Sequence, residues 1–142
     1  MKHILFLCTG NFYRSRFAEA VFNHAAEAVH LPWRATSRGL ATHMAPDAPL
    51  SPHIIAALAE RGVCVHHTAI DKKQVSANDL AAADLIIALR DSEHRPFLQR
   101  DFPESADKVR YWDIPDVDEL APERALPATE KLVRSLIKEL TS

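Results

Sequence analysis

The sequence predicts an α/β fold, a parallel β-sheet with helices on both faces. Two apolar runs, Ile4-Leu5-Phe6-Leu7 and Leu85-Ile86-Ile87-Ala88-Leu89, are too continuous for half-exposed strands and suit parallel strands buried on both sides. Segments with helical periodicity alternate with the strand segments, and that alternation implies parallel pairing through helical crossovers. At 142 residues, the chain is expected to form one domain over residues 1–142.

The first strand spans residues 3–8 and ends at Cys8. From Ser15 to about His30, Phe17, Val21, Phe22, Ala25 and Val29 recur at helical spacing, and Pro32 closes that segment. Residues 33–40 form the second strand, although Arg34, Ser37 and Arg38 make it more polar than the first. Two prolines and no periodicity make residues 41–50 a surface loop. Ser51-Pro52 starts a helix, as a hydroxyl cap followed by a first-turn proline, with Ile54, Ile55, Leu58 and Ala59 inward and Gly62 at its end. Val63-Cys64-Val65 reads as a short strand, with Cys64 packed in the core. Ser76 and Asp79 have capping-box spacing for a brief helix through Ala83. After strand 85–89 come a helix over 91–102, capped by Asp91 or Ser92 with Pro96 near its first turn, and a last strand over 109–112. Leu132, Val133, Leu136, Ile137 and Leu140 form the stripe of a final helix, with Pro127 just before or within its first turn.

A net charge of -2 gives no electrostatic support for nucleic-acid binding. No apolar run approaches the ~20 residues of a membrane helix, and the run before Cys8 is too short for a signal peptide. Cys8 and Cys64 make no disulfide framework, so a cytoplasmic location is the expectation.

Ligands of open α/β sheets sit at the carboxyl ends of the strands, where Cys8, Leu40, Leu89 and Trp112 lie. Cys8-Thr9-Gly10-Asn11-Phe12-Tyr13-Arg14-Ser15 then joins a strand to a helix with a thiol at one end and a guanidinium near the other. Loop amides and the helix amino terminus suit a phosphate dianion, and Arg14 can add a two-pronged contact. The same positive field favours thiolate at Cys8, and Ser15 is placed to hydrogen-bond it. Gly10 and Asn11 are the residue types that most readily take left-handed backbone angles. Taken singly, a strand-end cysteine is a small core residue and Arg14 a surface charge. The strand before them, the helix after them, and Gly10, Asn11 and Ser15 between and beside them turn the pair into a phosphate-binding catalytic loop.

This segment, CTGNFYRS followed by FAEAVF, resembles the low-molecular-weight protein tyrosine phosphatases, whose loop reads Cys-x-Gly-Asn-x-x-Arg-Ser before Ala-Glu-Ala. More weakly, Ser37-Arg38-Gly39, Gly62 to His67 and Ala83-Asp84-Leu85-Ile86-Ile87 resemble later family segments, with a two-residue insertion near residues 70–73. The resemblance implies a flavodoxin-like, four-stranded parallel sheet of order 2-1-3-4 and two-step phosphomonoester hydrolysis without metal or cofactor. Carried over, Cys8 is the nucleophile that forms a phosphocysteine, and Arg14 binds the transferring phosphoryl group. Thr9, Gly10, Asn11, Phe12, Tyr13 and Ser15 line the loop. Asn11, Ser15 and Ser37 make its supporting network, and His67 braces Asn11. The implied substrate is a phosphorylated protein or a small phosphomonoester, and other phosphate-like oxyanions would bind.

Such hydrolysis needs a proton donor for the leaving oxygen. In Trp112-Asp113-Ile114-Pro115-Asp116-Val117-Asp118, Asp116 matches the family's acid, Asp113 is the alternative and Asp118 comes third. The aromatic residues that follow the acid in relatives are replaced by Val117 and Asp118. That leaves Phe12 and Tyr13, bulkier than the usual pair, as the expected determinants of what enters.

Adjacent His66 and His67 on an extended segment would point to opposite faces, and His53 and His94 are expected on solvated helix surfaces, so no metal site is predicted. Arsenate reductases share the loop, but a three-thiol relay is impossible with Cys64 as the sole other cysteine. Reduction by an external thiol is one alternative, and a non-catalytic phospho-ligand module is another.

Overall fold

The computed structural model describes residues 1–141. Strand β1 (Lys2–Cys8) leads through the loop into α1 (Arg14–Ala28), followed by β2 (Trp33–Gly39), α2 (Pro52–Glu60), α3 (Ala77–Ala82), β3 (Leu85–Ala88), α4 (Asp91–Asp101), α5 (Pro103–Ala106), β4 (Arg110–Tyr111) and α6 (Pro122–Thr141). The four strands pair in parallel in the order β2-β1-β3-β4, with Cys8 opposite Gly39 and Leu7 opposite Ala88. This is the flavodoxin-like arrangement expected.

The period-2 alternation of β1 divides the core. Ile4, Phe6 and Cys8 join Phe17, Phe22, Ile54, Leu58, Val133 and Leu136 on the side of α1, α2 and α6. Leu5 and Leu7 join Leu80, Ile86, Leu98 and Ala106 on the side of α3, α4 and α5. β2 alternates Ala35, Ser37 and Gly39 inward with more exposed polar residues, as befits an edge strand. Ser51 caps α2 by accepting the His53 N–H, and Ser76 and Asp79 form the capping box of α3.

Several expected elements change. Residues 63–65 are no strand: Val65–His67 form a 3-10 turn, Val63 alone is buried, and Cys64 is exposed. Near the end of β2 the pairing is supplied instead by residues 73–75, through Gly39 N–H to Lys73 O and Val75 N–H to Gly39 O. Pro96 lies beyond the first turn of α4. The final helix begins five residues ahead of Pro127, at Pro122, and buries Ala125 and Leu126 in its early turns. Among the described residues, no helix is long and apolar enough to cross a membrane.

Candidate active site

The loop between β1 and α1 lies where the carboxyl ends of β1, β2 and β3 meet. Its curvature rests on Asn11, whose φ of 53° is left-handed, a conformation asparagine tolerates better than most residues. β2 comes so close that a Cβ on Gly39 would stand 2.6 Å from Thr42 Cγ2 and 2.9 Å from Thr9 O. Backbone bonds pin the loop from outside, from Leu40 N–H to Cys8 O, Ala41 N–H to Thr9 O and Ser51 N–H to Phe12 O.

A continuous hydrogen-bond chain runs inward from the thiol. Cys8 Sγ and Ser15 Oγ are 2.9 Å apart. Ser15 Oγ accepts from Asn11 Nδ2 at 2.9 Å, which leaves its own hydrogen free for the sulfur. Asn11 Nδ2 also donates to Ser37 Oγ at 2.9 Å, while Asn11 Oδ1 accepts the Lys73 N–H at 2.8 Å. Ser37 and Thr68 each donate to Glu19 Oε1 at 2.7 Å. Thr68 accepts from Arg16 Nε at 2.6 Å, and the rest of that guanidinium donates to the carbonyls of Asn11, Pro49 and Ala69. Arg16 is fully buried, and burial lowers its basicity while pushing the Glu19 carboxyl up.

Asn11, Ser15 and Ser37 therefore come together as expected, but His67 does not reach Asn11. Its ring packs edge-on against His24 at 5.7 Å, and its carbonyl accepts from Asn23. The bracing of Asn11 falls to the Lys73 amide, on the segment where an insertion was inferred.

Arg14, 2% exposed, is held end-on by Glu93: Nη1 donates to Oε1 at 2.9 Å and Nη2 to Oε2 at 2.6 Å, while Ile114 O accepts from Nη1 at 3.0 Å. These bonds engage both Nη groups and leave Nε unused. Thr9 Oγ1 donates to Glu93 Oε2 and lies 3.1 Å from His94 Nε2. His94 Nδ1 accepts the Arg90 N–H, so the neutral ring carries its hydrogen on Nε2. Although burial opposes it, hydrogen bonds from His94, Arg14 and Thr9 hold the Glu93 carboxyl well below the usual range. Against its burial, the Glu93 pair and the charges of Cys8 and Asp116 raise Arg14. His94, expected in solvent, is fully buried beneath Thr9, and burial lowers its basicity.

A cavity of about 950 Å³ opens over Cys8, Thr9, Gly10, Phe12, Tyr13 and Arg14. Asp116 lines it, with Oδ2 3.6 Å from Arg14 Nη2 and Oδ1 accepting the Val117 N–H at 2.9 Å. Asp118 also lies on its rim. Asp113 faces elsewhere: its side chain is 85% exposed, stands 3.6 Å from Arg90 Nε and borders a separate groove with Trp112 and Lys131. Phe12 lines the opening and is joined by Met44 and Phe97, apolar walls from segments distant in sequence.

The model of the low molecular weight phosphotyrosine protein phosphatases matches residues 3–119. The chain belongs to that family. Among curated relatives, it is 31% identical over 106 residues to a protein-arginine-phosphatase of Bacillus subtilis, covering 75% of this chain and 67% of that protein. It is 32% identical over 88 residues to arsenate reductase 1 of Staphylococcus epidermidis, covering 62% of this chain and 59% of the relative. A solved low molecular weight protein tyrosine phosphatase from T. tengcongensis superposes with a TM-score of 0.83 at 30% identity, covering 98% of this chain and 99% of its own. Among the described residues, no cluster of three or more His, Cys, Asp or Glu side chains could hold a metal ion. No local pattern marks Arg16 or the Glu93–His94 pair as part of the site, and only the Ala-Glu-Ala match points at Glu19.

Proposed function

We propose that the protein is a cysteine-dependent phosphatase that hydrolyses phosphomonoesters on a protein substrate through a phosphocysteine. The observation that carries this reading is the shared cavity, in which the Cys8 thiol, contacted by Ser15, adjoins a pre-oriented Arg14 with Asp116 3.6 Å from the guanidinium.

In the first step Cys8 sulfur attacks phosphorus, the bond to the leaving oxygen breaks, and that oxygen takes the Asp116 proton. The Nε edge of Arg14 and the loop amides hold the phosphoryl oxygens as charge redistributes, and Ser15 donates to the sulfur. In the second step Asp116, now a carboxylate, takes a proton from water as water attacks phosphorus and the sulfur leaves. Asp113 is absent from the lining of this cavity and borders a separate groove, so it is poorly placed for either transfer.

Turnover of para-nitrophenyl phosphate, competed by phosphate or vanadate, tests this reading and separates it from a non-catalytic phospho-ligand module. Arsenate reduction with glutathione or thioredoxin is the rival activity. Cys64, the other thiol, is exposed and outside the cavity, which favours hydrolysis. The free thiols also suit a reducing, cytoplasmic setting. Matched phosphotyrosine and phosphoarginine peptides separate the two protein substrates that the relatives' names suggest.

A further inference from the structure

Among the described residues, two buried side-chain polar atoms lack a hydrogen-bond partner, Arg90 Nε and the Tyr13 hydroxyl. Arg90 Nε has the Asp113 carboxylate 3.6 Å away. The Tyr13 hydroxyl has no such ion pair, although the residue is only 5% exposed and belongs to the apolar core; its ring meets the exposed His53 edge-on at 6.4 Å in the cavity wall. A phenylalanine would fill the same space without a buried hydroxyl, whose unmade hydrogen bond destabilises the fold. Tyrosine at this position therefore calls for an acceptor that another state of the site supplies.

Asp116 fits that acceptor. It lines the same cavity as Tyr13, and its charge acts on the phenol. One carboxylate oxygen receives the Val117 amide and the other stands 3.6 Å from Arg14, which leaves lone pairs unused. The Asp116 side chain is 43% exposed, and Val117 is also exposed, whereas Ile114 is buried and receives the Arg14 hydrogen bond. The Asp116 carbonyl accepts the Glu119 and Leu120 amides, so the half-exposed side chain can turn while its backbone stays anchored.

We propose that the Tyr13 hydroxyl donates to the Asp116 carboxyl group when a phosphate ester occupies the loop, making Tyr13 a positioning residue for the proton donor. This rests on Asp116 being that donor. As the Asp116 O–H bond breaks and its proton passes to the leaving oxygen, the new carboxylate receives the Tyr13 O–H. The hydrogen bond strengthens as the phosphorus–oxygen bond breaks. Burial and the Asp116 charge push the phenol up to about 12, so Tyr13 remains a donor at neutral pH. The other charged groups acting on it are Arg14 and Glu123; His53 lies against its ring, and Glu93 and Cys8 bear on Arg14.

The test compares wild type, Tyr13→Phe, Asp116→Asn and the double variant across a pH–rate profile with para-nitrophenyl phosphate. The expectation is that Y13F lowers kcat about 3- to 10-fold, the worth of one such hydrogen bond. Loss of a donor to the carboxylate moves the alkaline limb of kcat to higher pH. In the Asp116→Asn background, Y13F changes kcat by less than about twofold, because the two residues act as one unit. Y13F unfolds no more easily than wild type, since the hydroxyl it removes has no partner in the free protein. An equal loss of kcat in both backgrounds, an unmoved alkaline limb or a destabilised Y13F overturns the proposal. A wild-type rate in Asp116→Asn alone overturns the prior assignment of Asp116.

Discussion

Replacing Glu93 by glutamine keeps the shape of the clamp on Arg14 and removes its charge. In the native protein both carboxylate oxygens accept from Arg14, at 2.9 and 2.6 Å, and Thr9 also donates to one of them. An amide offers one oxygen and turns an NH₂ group toward a guanidinium NH₂, so one prong of the clamp becomes repulsive. Hydrogen bonds to charged groups contribute about 1.5–3 kcal/mol each. Because Glu93 is 25% exposed and Arg14 keeps Ile114 O, the loss is set at one such bond. We therefore expect Glu93→Gln to lose about 1.5–3 kcal/mol in urea unfolding at pH 7. As Arg14 is no longer fixed by two prongs of the clamp, kcat should fall about 10- to 100-fold. The Glu93 carboxyl is depressed in the folded state, so its stabilisation is complete above the ordinary carboxylate value of 4.5 and is lost as pH falls below it. The gap between wild type and variant should accordingly narrow in acid. A variant with wild-type kcat and an equal unfolding midpoint at pH 7 would refute the clamp.

Arg16→Met should cost roughly 3–5 kcal/mol, measured by urea unfolding, because it strips the donors from four buried or part-buried acceptors and removes one of the two cations, Arg16 and Arg38, that act on the buried Glu19 carboxyl. His94 is buried with lowered basicity, so the folded protein binds fewer protons there than the unfolded chain. Stability should fall as pH drops below the ordinary histidine value of 6.5, and His94→Gln should flatten that slope in unfolding curves. Asp116→Asn should lower kcat for para-nitrophenyl phosphate by roughly 10²–10⁴-fold and Asp113→Asn by much less; the reverse order would reassign the acid.

The loop was legible because its chemistry is contiguous: strand end, thiol, left-handed asparagine, arginine and helix start all fall within residues 8–15. The buried strands were legible because β1 and β3 are apolar on both faces. Glu93 and His94 were not, since their partners Arg14 and Thr9 lie about eighty positions away and the α4 sequence around them is rich in charge. A buried histidine in such a helix looks solvated until the fold lays the loop over it. Val63-Cys64-Val65 failed for a different reason: three apolar residues do not distinguish a strand from a turn, and residues 73–75 pair with β2 instead. Arg16 in a helix start reads as a surface charge, because nothing local announces the carbonyls of Pro49 and Ala69.

The central claim is that phosphoryl transfer passes through Cys8. Acid quenching during turnover of para-nitrophenyl phosphate, followed by digestion and mass spectrometry, tests it most directly. The peptide containing Cys8 should carry one phosphoryl group on sulfur, and Cys8→Ser should show no turnover while still binding phosphate. Sustained turnover by Cys8→Ser, or a phosphoryl group found on a different residue during wild-type turnover, would contradict the account.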